Sequence, residues 1–285
     1  MNKKELEVQS FWDNYPCGDS QVGGIEKFQN DYEKFFSEYD KLRYKNESHI
    51  LKLIDDIDWK DKNILEIGLG QGADSEQIIK RGGIWSGIDL TNESIKRTQT
   101  RLSLRKLPFK VLKQGDVLSL PFKDNSFDIV YSFGVLHHVP NIEKAQKEIH
   151  RVLKPNGELI VMLYAKYSLN YLISISILRR LGLILLYLKG SSSTEIYSQH
   201  ILNAKKIGLF KYIKMSNFIH KNTDGPLNPY SKVYGLKEVR KCFNLFEIKK
   251  SYKQFLHAPP IFYNTNLPFL AKQLGWHLLV FLKPI

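Results

Sequence analysis

Three glycines at alternate positions, Gly68, Gly70 and Gly72, directly follow the apolar run Ile64–Ile67. Glycine lets the backbone turn sharply there and lets a ligand lie against bare main chain. Glu66 sits inside that run. Asp89 ends a second apolar run, Ile84–Ile88, about 20 residues on, where nucleotide-binding strand–turn–helix units carry a ribose-binding carboxylate. The third glycine comes one residue earlier than in the Gly-x-Gly-x-x-Gly of dinucleotide sites. Glu66 would also repel a pyrophosphate, whereas it suits a ligand with a cationic amino-acid end. These residues point to binding of a small molecule that carries a ribose and an ammonium group.

A second set of residues could act on an acceptor. His137 and His138 follow the apolar run at 127–133, and a histidine can serve as a base near neutral pH. Anchoring the turn is the competing role for both. Further along, Thr223–Tyr234 holds two prolines and a glycine beside Asp224, Asn228 and Tyr230. A stiffened loop of this kind can orient a polar or cationic acceptor by hydrogen bonds, with Asp224 as its anion and second candidate base. Asp224, Asn228, Tyr230 and His137 are therefore the expected catalytic group. No metal site is expected: the eight histidines show no His-x-x-x-His spacing, and Cys17 and Cys242 are the only cysteines.

Alternating elements must position these residues. Helical patterns fall at Glu47–Ile57, Asp74–Lys80, Asn92–Lys106 and Ile142–Leu153. Strand patterns fall at Asn63–Ile67, Ile84–Ile88, Phe109–Lys113, Phe127–Ser132 and Gly157–Leu163. That alternation predicts a parallel sheet with right-handed crossovers. Phe246–Tyr252 and Trp276–Leu282 read as two more strands.

Glu66-x-Gly68-x-Gly70-x-Gly72 resembles the first motif of class I S-adenosylmethionine (SAM)-dependent methyltransferases. Ser86–Thr91, Gly115–Phe122 and Asn125–Ser132 with Gly134–Val139 are similar to three further motifs of that family, in its type 11 methyltransferase subgroup. The resemblance covers residues 46–163 and, more weakly, the C-terminal tail. It implies an α/β fold: a Rossmann-like seven-stranded sheet with helices on both faces and an antiparallel last strand. It also implies SAM as cofactor. Glu66 would face its ammonium group, Gly68, Gly70 and Gly72 its main-chain cradle, Asp89 and Leu90 its ribose, and Asp116 and Val117 its adenine. Tyr15, Tyr39, Tyr167 and Tyr230 are candidates to pack against its sulfonium. Leu69 and Gln71 stand where relatives often carry smaller or hydroxyl residues. The implied activity is in-line methyl transfer to a small-molecule or lipid-like acceptor. The family's motifs equally admit an enzyme that cyclises or cleaves SAM and releases methylthioadenosine. A non-catalytic SAM-binding subunit is the other alternative.

The remaining segments frame this core. Residues 1–45 form an N-terminal cap, in which Phe28, Tyr32, Phe35, Phe36 and Tyr39 recur at helical spacing; residues 164–242 form a largely helical insertion after the fifth strand; residues 243–285 complete the sheet. Within the insertion, Leu169–Leu188 is apolar enough to span a bilayer, but Arg179 and Arg180 lie at its centre and each costs about 2.5–3.5 kcal/mol there. Two helical segments hinged near Arg179–Gly182 are expected, serving as a buried lid or dimer helix, as a membrane-surface contact or as a true span. Gly190–Ser193 reads as a polar turn. The net charge of +13 is concentrated at 201–253, with 12 Lys or Arg against three acids. Such a face suits an acidic substrate or an anionic membrane. No nucleic-acid-binding module is recognisable. Two cysteines and a polar start fit a cytoplasmic protein.

Overall fold

The strands of the central region are apolar on both faces, which only a sheet covered by helices on each side can accommodate. In the computed structural model, which describes residues 2–190, 194–265 and 267–285, that sheet has seven strands. The N-terminal part holds α1 (Lys3–Asn14), α2 (Asp19–Val22), α3 (Tyr32–Asn46) and α4 (His49–Asp55). Then come β1 (Asn63–Ile67), α5 (Ala73–Lys80), β2 (Ile84–Asp89), α6 (Asn92–Leu104), β3 (Val111–Gln114), β4 (Phe127–Phe133), α7 (Ile142–Val152) and β5 (Leu153–Tyr164). A π-wound stretch, Asn170–Arg179, runs into α8 (Arg180–Lys189). It is followed by α9 (Glu195–Ile207), α10 (Leu209–Ile213), α11 (Met215–Phe218), α12 (Leu236–Cys242), β6 (Phe246–Gln254), β7 (Leu256–Ala258), β8 (Phe262–Thr265), α13 (Pro268–Leu274) and β9 (His277–Pro284).

The strand order is β3-β2-β1-β4-β5-β9-β6. β1 through β5 are parallel, and β9 runs antiparallel to both β5 and β6. The order reverses between β1 and β4, so a crevice opens beyond their carboxyl ends, where open α/β sheets bind ligands. Alternation along β1 divides the core. Leu65 and Ile67 pack with Ile149, Val152 and Val239 on one face; Ile64 packs with Ile50, Ile78 and Trp85 on the other. α7 shows why it forms: Asn141 caps it, and Ile142, Ala145, Ile149 and Val152 line one buried stripe.

Four expectations change. β3 begins at Val111 rather than Phe109, whose ring is exposed. β5 starts four residues early, because Leu153 already pairs with Phe127. Asn170–Lys189 is one continuous helix whose winding changes at Arg179, with no hinge. α12, at the end of the expected insertion, packs with the sheet instead: Val239 and Cys242 join the core cluster of Leu65. The tail also carries an unanticipated hairpin, β7–β8, which packs on the π-wound stretch. Residues 191–193 of the expected polar turn lie outside the described residues.

Candidate functional site

Gly68, Gly70 and Gly72 all adopt positive φ, at +80°, +53° and +71°. At Gly68 the constraint is also steric, since an added Cβ would lie 2.1 Å from Val135 Cγ2. The loop is held by Asp89. Its Oδ2 accepts from the Leu69 amide (2.7 Å), and its Oδ1 accepts from the Thr91 amide (2.9 Å) and hydroxyl (2.8 Å). Burial raises the Asp89 carboxyl above its ordinary range against the pull of these bonds. Asp89 thus builds the glycine loop as well as facing the crevice. Leu90 lines the crevice too, and its carbonyl accepts from Gln9 of α1 (2.9 Å).

The resulting cleft encloses about 1190 Å³ of empty space, its open mouth included. Glu66, Arg43 and Asp74 lie along it, as do Asp116, Val117 and Leu118, Trp12 of α1, and His138. Glu66 Oε2 accepts from Ser75 and from the Trp85 indole, both at 2.7 Å. Burial, then the nearby Asp74, pushes its carboxyl up to about 8. Arg43 clamps Asp74 with two bonds, at 2.9 and 3.0 Å, and Tyr131 donates to the same carboxylate at 3.1 Å. Cation and carboxylates side by side match a zwitterionic amino-acid group. Asp116 Oδ1 accepts from the Leu118 amide (2.9 Å), which fixes that loop and aims its second oxygen elsewhere.

The cap closes over this cleft. Gln71 explains its own departure from the expected hydroxyl residue: its Nε2 donates to the Cys17 carbonyl (2.8 Å) and to Asp19 (3.2 Å). Arg97 pairs with Asp19, and Arg101 joins Asp40 of α3 to Glu76 of α5. Cys17 lines the cleft, and desolvation pushes its thiol up to about 11.

The expected catalytic group is rearranged. His137 does not line the cleft. It is fully buried, its ring stacks on Tyr164 at 3.7 Å, and burial drives its pKa well below the ordinary value. Its carbonyl accepts from the Lys232 amide (2.9 Å), so it anchors the turn. Asn228 is also fully buried. Its amide donates to Thr223 (3.1 Å) and Asp224 (3.3 Å), and its Oδ1 accepts from the Tyr230 amide, so it braces the loop. The Tyr230 ring stacks on His220, away from the cleft. Its carbonyl accepts from His138 Nδ1 at 2.8 Å. Asp224 keeps a chemical position: Oδ1 accepts from Tyr164 (2.7 Å), and Oδ2 lies 3.4 Å from His138 Nε2. Of the four tyrosines, Tyr39 lines the cleft, whereas Tyr15 and Tyr167 are exposed outside it. Trp12, Arg43, Asp74 and Tyr164 escaped sequence reasoning, since nothing local distinguishes them from packing residues.

A family model described as a methyltransferase domain matches residues 65–161. Norajmaline N-methyltransferase of Rauvolfia serpentina is 36% identical over 120 residues, 41% of this chain and 41% of that protein. Sterol 24-C-methyltransferase of Gibberella zeae is 35% identical over 96 residues, 33% of this chain and 25% of that protein. The matches therefore span less than half the length of these curated relatives. An uncharacterised protein of Methanocaldococcus jannaschii is 34% identical over 163 residues, 57% of this chain and 63% of that protein. Among solved structures, a SAM-dependent methyltransferase from Aquifex aeolicus superposes with a TM-score of 0.52 at 14% identity, covering 90% of this chain and 99% of that one. A possible histamine N-methyltransferase from Thermotoga maritima gives 0.50 at 20%, covering 92% and 98%. These two likenesses are of fold.

Proposed function

We propose that this chain is, through its core domain, a class I SAM-dependent methyltransferase that transfers a methyl group to a small-molecule or lipid-like acceptor bearing a hydroxyl or amine. The observation that carries the reading is the cleft itself. Arg43, Asp74 and Glu66, the positive-φ Gly68 and Gly70, Asp116 and His138 all line it. SAM supplies an activated methyl electrophile, so positioning and exclusion of water can do much of the work. Arg43 would hold the cofactor's carboxylate, with Asp74 and Glu66 at its ammonium group. Asp89, with its Oδ1 already accepting twice, would use Oδ2 for a ribose hydroxyl, and Asp116 has one oxygen to accept from an adenine amino group. Trp12 and Cys17 wall off bulk water. The His138–Asp224 pair would take the proton that a hydroxyl or ammonium acceptor must lose. Two free cysteines support a reducing, cytoplasmic setting.

The test is product analysis with methyl-labelled SAM and fractionated polar and lipid extracts. S-adenosylhomocysteine together with a labelled acceptor is expected. Methylthioadenosine formed without an acceptor would instead assign intramolecular cleavage of SAM. Binding of S-adenosylhomocysteine with no turnover in any fraction would assign a non-catalytic subunit.

A further inference from the structure

On the insertion, large apolar side chains face outward where charge is nearly all of one sign. Leu181, Leu185 and Leu188 recur at spacings of four and three along α8 and share a face. Ile196 and Leu202 of α9 and Phe210 of α10 are exposed as well. Exposure reaches 68%, 76% and 86% at Leu185, Leu188 and Phe210, too high for residues that merely rim a core. α9 packs against both α8 and α10, so these side chains sit on adjoining helices. Scattered surface leucines need no explanation, but a group on three packed helices marks an interaction surface. Residues 170–218 carry seven Lys or Arg, including Lys189, Lys205, Lys206, Lys211 and Lys214, against one acid, Glu195.

We propose that this face docks on an anionic membrane, with its helices lying in the plane of the interface. Charge selects the occupant. A second copy of the chain would bring two cationic surfaces together, whereas anionic headgroups neutralise the lysines while the leucines and Phe210 enter the acyl boundary. The helix Asn170–Lys189 is long and apolar enough to cross a membrane. Its inner side is already used, however: Ile175 and Leu183 pack in the insertion's core, and Arg179 donates to the Asn222 carbonyl at 2.8 Å. Spanning would strip out those contacts. Docking also bears on the cleft. Arg179 holds Asn222, and Asn203 of α9 donates to the Pro226 carbonyl at 2.9 Å, so the elements under the apolar face grip the loop that carries Asp224. The proposal does not depend on the methyl-transfer reading.

The full chain is cosedimented with phosphatidylcholine vesicles, with and without phosphatidylglycerol, at low and high salt. Binding to the anionic vesicles is expected, weakened at least about tenfold by omitting phosphatidylglycerol or raising salt. Leu185→Glu/Leu188→Glu and Lys205→Glu/Lys206→Glu should each weaken it at least about tenfold with an unchanged melting temperature. All these positions are on the surface, so the variants should fold. No binding, equal binding to neutral vesicles, or unaffected variants would overturn the proposal. So would a dimer, seen by light scattering, that Leu185→Glu dissolves, or membrane-expressed protein that resists carbonate extraction.

Discussion

His138, which lines the cleft, faces Asp224, with Nε2 3.4 Å from Oδ2. The Tyr230 carbonyl can only accept, so His138 Nδ1 carries the proton and Nε2 keeps its lone pair in the neutral ring. A proton arriving at Nε2 would then point at a carboxylate already oriented by Tyr164. His138→Gln should lower turnover about 100-fold or more, within the range of a lost general base. Asp224→Asn should lower it about tenfold, roughly 1.4 kcal/mol of barrier. His137→Gln should mainly lower the melting temperature. Steady-state kinetics with the identified acceptor, alongside calorimetry showing unchanged S-adenosylhomocysteine affinity, checks all three. Full activity of His138→Gln would remove this pair from the chemistry.

Asp89 holds the Leu69 and Thr91 amides as well as facing the crevice. Asp89→Ala should therefore destabilise the protein before any ligand is added. A loss of about 1–3 kcal/mol is expected for stranded buried donors. Urea denaturation without ligand measures it. An unchanged midpoint, with only ligand affinity lost, would show that the loop holds itself.

Glu66 makes stability depend on pH. Its carboxyl is raised to about 8 in the folded protein, against about 4.3 in an unfolded chain. Between those values the folded state binds more protons, so stability falls as pH rises through this window and levels off above about 8. Gln can still accept from Ser75 and Trp85. Glu66→Gln should flatten the slope and raise stability at pH 8 by on the order of a few kcal/mol. Melting temperatures across about pH 4 to 8, the window between the two values, are the measurement, and a slope like the wild type's would assign the titration elsewhere.

Arg43 and Asp74 form a nearly buried ion pair. Arg43→Met leaves the carboxylate uncompensated and should cost about 3–5 kcal/mol, whereas Arg43→Met/Asp74→Leu should recover much of that. Both variants should bind S-adenosylhomocysteine weakly. Chemical denaturation and calorimetry separate the two effects, and wild-type affinity in the double variant would place the cofactor's amino-acid end away from this pair.

The sheet and the cofactor loop were legible along the chain because they rest on local rules. A buried parallel strand is a short apolar run, a turn of positive φ is glycine, and an acid at a strand end lies in the crevice. Gly68, Gly70, Gly72 and Asp89 are legible that way, whereas Asp116 and the antiparallel last strand come from the family resemblance. Long-range packing decided the rest. Whether His137 or its neighbour His138 meets the cleft depends on how one turn sits against Tyr164, on which the His137 ring stacks. Asn228 and Tyr230 have the right chemistry for an acceptor site, yet the loop spends them on its own bracing and on the His138 tautomer. Arg43 and Trp12 reach the cleft only because the cap folds back over β1 and the loop after it. The apolar run Leu169–Leu188 was ambiguous by composition alone, because a core helix, a span and a surface helix share it. The tertiary contacts of Ile175, Leu183 and Arg179 settle which of its sides the protein itself covers.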